Sequence, residues 1–364
     1  MQEQDFVLEE YINKGIQDIM KDIIKATFKD PAESIFMAKF ALSVKKGSEI
    51  RKAFDDRGEH IPPFLIASIT STCNLHCKGC YARENNICSD ETVSNQLTTQ
   101  EWNQIFTEAK ELGINFVLLV GGEPLMRPDV LMAAAEHPEI LFPVFTNGTI
   151  MNEQYLQFFK KNRNMVPVIS VEGHVESTDE RRGEGTYQLL DNTMEQLSNA
   201  RLLFGASITV TRENMHEVLS DAFVQELLDK GCRAILYIEY VPVDEKSMEL
   251  APTPEDNAYI EETVAKLRET FDKTLFISFP GDEHKSGGCL AAGRGFFHIN
   301  THGGAEPCPA SPFSDTNVKD IGLREALKSP LFQVLRDEEI LLEDHAGGCV
   351  LFDNREKVEA LLQR

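Results

Sequence analysis

Three cysteines in one short stretch have the type and spacing to do chemistry. Ile69-Thr-Ser-Thr-Cys-Asn-Leu-His-Cys-Lys-Gly-Cys-Tyr-Ala-Arg83 places Cys73, Cys77 and Cys80 in a C-x3-C-x2-C pattern, directly behind the apolar run 64–69. A strand that delivers three thiols into one loop can wrap them around a single inorganic centre. Iron–sulfur clusters usually take four cysteines, so three would leave one iron open. An open position is what separates a reactive metal centre from a structural one. The alternative is a zinc knot or three buried thiols. Zinc sites favour paired C-x2-C units with a fourth Cys or His, and His76 inside the loop is too close in sequence to fold back easily as that ligand.

Four more stretches carry groups suited to a cofactor. In Val120-Gly-Gly-Glu-Pro-Leu125, Gly121 and Gly122 let backbone approach a ligand closely, and Glu123 offers a carboxylate ahead of Pro124. Phe145-Thr-Asn-Gly-Thr149 ends an apolar run on an Asn-Gly turn at Asn147. Ile169-Ser-Val-Glu-Gly-His174 presents Ser170, and Ser207-Ile-Thr-Val-Thr-Arg-Glu-Asn214 presents Thr209, Thr211 and Arg212. A guanidinium such as that of Arg212 recognises a carboxylate bidentately.

Together these stretches resemble the radical S-adenosylmethionine (SAM) enzymes over residues 60–280. The cysteine loop, with Tyr81 at its flank, is similar to that family's cluster-binding loop. The 121–124 stretch resembles its GGEP motif, 146–148 its TNG segment, and 170–173 its fourth-strand serine motif. The resemblance implies a [4Fe–4S] cluster on Cys73, Cys77 and Cys80 with SAM on the open iron. It implies SAM contacts from Gly121, Gly122, Glu123, Pro124, Asn147, Ser170, Thr209 and Arg212. Reductive cleavage of SAM to a 5′-deoxyadenosyl radical would then abstract hydrogen from a peptide or small-molecule substrate, with flavodoxin or ferredoxin as the reducing partner. Asp179-x-x-Arg182 and Gly183-x-Gly185-Thr-Tyr187 match subfamilies with C-terminal extensions, although a loop salt bridge would also explain the first.

Beyond Pro280 the chain turns glycine-rich around Cys289, Cys308 and Cys349. Residues 295–308 read as a hairpin with its turn near His302-Gly303. This resembles the opening of the SPASM/twitch extension, an auxiliary-cluster domain, but the further cysteine array of a full SPASM domain is missing. The resemblance implies a second [4Fe–4S] cluster on these three thiolates, with substrate, water, His298, His302, Asp344 or His345 as fourth ligand; structural thiols or zinc are the alternative. A sulfatase-maturing enzyme would place an acid after the second of these cysteines, where Pro309 stands. Cys88 in the polar segment 84–96 reads as an incidental surface thiol, and Cys232 as a small buried residue.

Short apolar runs alternate with helical stretches from residue 61 to 280, which means βαβ units and a parallel sheet. The expected fold is α/β, a partial (β/α)6 TIM-like barrel over 61–280. An N-terminal helical cap is expected over 1–60 and a twitch/SPASM-like domain over 281–364. In the cap, Phe6, Val7, Tyr11, Ile12, Ile16, Ile19, Met20, Ile23 and Ile24 form one apolar stripe. A second helix starts at Asp30-Pro31 and runs through Ile35, Phe36, Phe40 and Leu42. Its polar face mixes both charge signs, which fits a cap on the barrel better than a membrane-surface element.

The formal charge of −23 on 364 residues argues against nucleic acid or anionic lipid, whose phosphates need a basic face. No apolar run spans a membrane, and Met1-Gln-Glu-Gln-Asp lacks the basic start of a signal peptide. Eight cysteines without such a signal read as metal ligands, in a cytoplasmic, anaerobic setting. Two other functions stay open: a non-catalytic iron–sulfur or zinc redox sensor, and a lipid-modifying enzyme recruited to a membrane surface.

Overall fold

The computed structural model describes residues 14–18, 20–21, 31–91, 93–242, 245–337, 340–342 and 349–362. Helix α1, Pro31–Asp55, begins on a proline whose fixed backbone angle suits the first helical turn. Asp30 and most of the stripe expected ahead of it lie outside the described residues. Strand β1, Phe64–Ser68, leads into the cysteine loop, and helix α2, Tyr81–Glu84, starts on its last cysteine.

Alternation then runs through α3 Thr99–Glu111, β2 Phe116–Val120, α4 Pro128–Ala135, β3 Phe142–Thr146, α5 Glu153–Lys161 and β4 Met165–Ser170. It continues through α6 Val175–Arg182, α7 Thr186–Asn199, β5 Gly205–Val210, α8 Met215–Val218, α9 Asp221–Asp229, β6 Ala234–Glu239, α10 Pro254–Thr270 and β7 Leu275–Phe279. Last come the hairpin β8 Phe296–Ile299 and β9 Ala305–Glu306, then α11 Val318–Ala326, α12 Pro330–Asp337, α13 Val350–Asp353 and α14 Arg355–Leu361. Caps explain several starts: Thr98 with Glu101 and Thr253 with Asp256 close capping boxes at α3 and α10.

The sheet order is β7-β6-β5-β4-β3-β2-β1-β8-β9. Strands β1 to β7 pair in parallel in chain order, joined by helical crossovers, which is the partial barrel the sequence implies. The expected hairpin forms, with β8 and β9 antiparallel. It does not stand apart from the barrel, because β8 pairs in parallel with β1, setting Phe64 beside Phe296 and Ile66 beside His298.

Side chains alternate across each strand. Leu65, Ala67, Val117 and Leu119 face the helical layer and join its core. The other face carries Phe64, Phe116, Leu118, Val166 and Ile277, and against their strands' N-terminal ends α1 packs Met37, Phe40 and Val44. Phe40 meets the Phe116 ring edge-on, with centroids 5.5 Å apart. The described part of the N-terminal segment is therefore a plug at the end of the barrel opposite the cysteine loop. Of the residues expected along the second helix, Phe40 is buried, whereas Ile35 and Leu42 face solvent, at 60% and 70% exposure.

Candidate functional site

The cysteine loop is built by its neighbours rather than by regular structure. Arg83 reaches back from α2, donating from Nε to the Leu75 carbonyl (2.8 Å) and from Nη2 to that of Cys73 (3.0 Å). The Lys78 N–H donates to the Arg181 carbonyl at 2.7 Å, which ties the loop to α6. The GGEP turn lies flat against the strand that feeds the loop: Gly122 N–H donates to Thr70 O (2.7 Å) and Glu123 N–H to Thr72 O (2.8 Å). A Cβ on Gly121 would stand 2.4 Å from Thr70 O, and one on Gly122 2.2 Å from Thr72 O, so only glycine fits this contact.

Glu123 is buried and works as an organiser. One oxygen accepts from the Leu125 N–H (2.9 Å) and the Thr146 hydroxyl (2.7 Å), the other from the Asn147 N–H (2.7 Å). Burial pushes its carboxyl up to about 7 against these donors. The tip of β3 is thereby fixed to the GGEP turn, and its Asn147 amide donates to Asn74 Oδ1 (2.9 Å) and points at Cys73 Sγ (3.9 Å).

Cys73 also has a partner that its sequence position did not suggest. The Cys88 thiol hydrogen-bonds to it, and this contact, helped by Arg83 and Asn147, brings Cys73 down to about 6 against the cost of burial. Cys88 is thus part of the loop's packing and not an incidental surface thiol. Cys77 is held above its ordinary value by burial, which outweighs the pull of Arg182 and Arg181. Arg182 Nη1 lies 3.9 Å from Cys77 Sγ.

Both arginines converge on Glu172, just past β4 and 1% exposed. Arg181 Nη1 and Arg182 Nη2 each lie 2.5 Å from Glu172 Oε1. Glu172 Oε2 accepts the Thr209 N–H at 2.9 Å, and Arg181 donates to Thr209 Oγ1 at 3.1 Å. Asp179, meanwhile, caps the start of α7 through the N–H groups of Gly185 (2.8 Å) and Tyr187 (2.7 Å). The Asp179–Arg182 spacing is therefore two separate devices, a cap and a buried ion pair, in place of a loop salt bridge.

Ser170 and Thr209 sit half-buried at the tips of adjacent strands, near this network. Arg212 is half exposed and pairs with Asp256 (Nε–Oδ2 3.2 Å) at the edge of the site. A cavity of about 200 Å³ opens between Lys78, Glu172, Arg181, Thr211 and Asn214.

The C-terminal thiols gather too. Cys289 and Cys308 are buried in the main core, and Cys349, at the start of α13, packs against that core. Burial raises all three, with Cys349 pushed up to about 11. Tyr81 lies between the two cysteine groups: burial raises its phenol, and Cys80, Cys308 and Glu306 add to the rise. Beneath it, Ser68 Oγ meets His298 Nε2 at 2.7 Å, and His298 Nδ1 meets Glu306 Oε2 at 2.7 Å, all buried. This row pins the hairpin to β1.

Among the described residues no three His, Cys, Asp or Glu side chains converge as a single metal ion would require. A cluster makes no such demand, since each thiolate takes a different iron. The soft, all-thiol donor sets suit iron and sulfide.

The partial barrel, with three cysteines at the mouth of its first strand and a glycine turn against them, defines a radical SAM fold. Residues 67–223 match the family model described as Radical SAM superfamily, and the chain is an enzyme of the radical SAM class. It is 25% identical over 314 residues to the AdoMet-dependent heme synthase of Methanosarcina barkeri, a match spanning 79% of this chain and 88% of that protein. It is likewise 25% identical over 299 residues to the PqqA peptide cyclase of Gluconobacter oxydans, covering 78% and 81% of the two chains. Among solved structures, SuiB of Streptococcus suis bound to S-adenosylmethionine shares the fold, with a TM-score of 0.64 at 17% identity over 84% of this chain and 74% of that one.

Proposed function

We propose that Cys73, Cys77 and Cys80 hold a [4Fe–4S] cluster with SAM on its open iron, and that Cys289, Cys308 and Cys349 hold a second cluster. Held on Cys73, Cys77 and Cys80, such a cluster would supply one-electron reduction of SAM and hence hydrogen abstraction from a peptide or a small metabolite. Both substrate classes occur among the named relatives, one a peptide cyclase and the other a heme synthase.

The observation that carries the reading is the docking of two strand tips on one cysteine loop. The GGEP turn lies against Thr70 and Thr72, and Asn147 faces Cys73. Gly121, Gly122, Glu123 and Pro124 would cradle the methionyl end of SAM, and Asn147, Ser170 and Thr209 would line the rest of its pocket. Arg212 would need to leave Asp256 to take the cofactor's carboxylate. Arg181, already on Thr209 and the inner side of the cavity, is placed as well as Arg212 for that contact. Arg182 beside Cys77 offsets part of the burial that favours the thiol, and so eases formation of the thiolate a ligand requires. The chain's part is positioning; the radical chemistry is the cofactor's. Electrons would come from a small carrier such as flavodoxin or ferredoxin.

Iron and sulfide counted after anaerobic reconstitution test the two-cluster reading. Wild type should hold about 8 iron per chain, and the Cys73/Cys77/Cys80→Ala variant about 4, at four irons per cluster. An iron-free variant would leave only the first cluster standing.

A further inference from the structure

Helix α6 carries much of the site yet has little apolar surface to seat it. Only Thr178 is buried along its eight residues, and its N-cap residue, His174, makes no side-chain cap bond. Most helices are held by an apolar face packed on a neighbour. Here two polar anchors do that work. At the C-terminal end Arg181 and Arg182 close on Glu172. At the N-terminal end the partner comes from another element, Glu217 of α8.

Glu217 Oε1 accepts the backbone N–H of His174 at 2.6 Å and meets His174 Nδ1, while Oε2 accepts the Ser177 hydroxyl. His174 Nε2 meets Glu226 Oε2 of α9 at 3.1 Å, which fixes the ring from its far side. Gly173, at a φ of 130°, leaves room for the carboxylate, since a Cβ there would stand 2.7 Å from Glu217 Oε2. Against burial, the bonds from Ser177 and His174 hold the Glu217 carboxyl below its ordinary range. An anion at this end complements the partial positive charge of a helix N-terminus. The α8 turn grips the same strand tips a second time, where Asn214 Nδ2 donates to the carbonyls of Glu172 (3.0 Å) and Thr209 (2.9 Å).

What α6 positions is the rest of the site. Its Arg181 carbonyl takes the Lys78 N–H at 2.7 Å, and Arg182 Nη1 lies 3.9 Å from Cys77 Sγ. Arg181 Nη1 also holds Thr209 Oγ1 at 3.1 Å. We propose that Glu217 is a positioning residue for SAM binding. It caps α6 from a neighbouring element and so sets where both arginines stand against the cysteine loop and β5. This rests on the SAM-site reading above.

Glu217→Ala strips the helix start of its acceptor. In the iron-free chain, amide exchange in α6 should quicken. In reconstituted protein, the Kd for SAM read by calorimetry should rise at least about tenfold, as the loss of one hydrogen bond to a charged group implies. The midpoint potential of the first cluster should also shift negative as the Arg182 charge leaves Cys77. Glu217→Gln keeps an oxygen for the His174 N–H and should fall between wild type and Glu217→Ala in all three readouts. A poorly folding Ala variant therefore does not leave the matter open. Wild-type affinity and potential in every variant that folds, even with a lowered thermal midpoint, would overturn the proposal and leave Glu217 a residue of the fold alone. A wild type that takes up its iron and binds no SAM would instead overturn the SAM-site reading, and this role with it.

Discussion

At Glu172 two guanidinium groups meet one carboxylate that is 1% exposed. Removing one partner of a buried pair leaves an uncompensated charge, at about 3–5 kcal/mol. Glu172→Gln should therefore lower the thermal midpoint of the iron-free chain and release Arg182 from Cys77. An unchanged midpoint would show that the pair contributes little to the fold. Glu123→Ala strands three buried donors, those of Leu125, Thr146 and Asn147. At about 1–3 kcal/mol for an orphaned group, the β3 tip should come loose. SAM affinity, read by calorimetry on the reconstituted enzyme, should then fall at least about tenfold, the equivalent of 1.4 kcal/mol.

Glu239 sets a pH dependence. Burial lifts its carboxyl from 4.5 to about 7 in the folded chain. The folded state then binds the proton more tightly than the unfolded one, so the contribution of Glu239 to stability is fully present below about 4.5 and is lost as pH rises through about 7. Glu239→Gln should flatten this slope in denaturant titrations of the iron-free chain; an unaltered slope would assign it to other groups. The residues with fixed spacing, namely Cys73, Cys77, Cys80, the GGEP turn and Asn147, were legible because each belongs to a contiguous motif. Glu172 with Arg181 and Arg182 was not, since the pairing depends on how α6 folds back over the β4 tip. Cys88 was missed for the same reason: its fifteen-residue separation from Cys73 closes only through the Thr72–Ser89 bridge.

At the level of elements, the seven parallel strands and their crossovers could be read from alternating apolar runs, nearly to their ends. Two things could not. Helix α6 is strongly polar, with only Thr178 buried, so periodicity gives it no signal. The attachment of β8 to β1 joins segments more than 200 residues apart, and nothing local announces it. Helix α1 was legible as a helix but its buried face was not, because its large apolar residues lie on both sides of it, with Phe40 buried and Ile35 and Leu42 in solvent. Its seat depends on Gly47, where a Cβ would stand 1.9 Å from Asn115 Oδ1 and 2.9 Å from Gly113 O. Arg51, one turn on, reaches the Gly113 carbonyl as well. Gly47→Ala should lift the plug at a cost of about 1–3 kcal/mol, seen as faster amide exchange in α1. Unchanged exchange would mean that Asn115 moves aside freely.

Over the whole molecule, the barrel is plugged at one end by α1 and carries the Cys73–Cys80 loop at the other, with the hairpin pinned against β1. Tyr81 lies between the two cysteine groups, close to both Cys80 and Cys308. No described helix is long and apolar enough to cross a membrane, and the charge of −23 disfavours anionic surfaces. The proposed function depends on the first cysteine loop making a radical from SAM. Anaerobic incubation of reconstituted protein with SAM and dithionite, followed by chromatography for 5′-deoxyadenosine, measures this directly. Wild type should form 5′-deoxyadenosine and Cys77→Ala should not. Equal amounts from both, or none from wild type carrying its full iron, would contradict the assignment of that loop as the radical-generating centre.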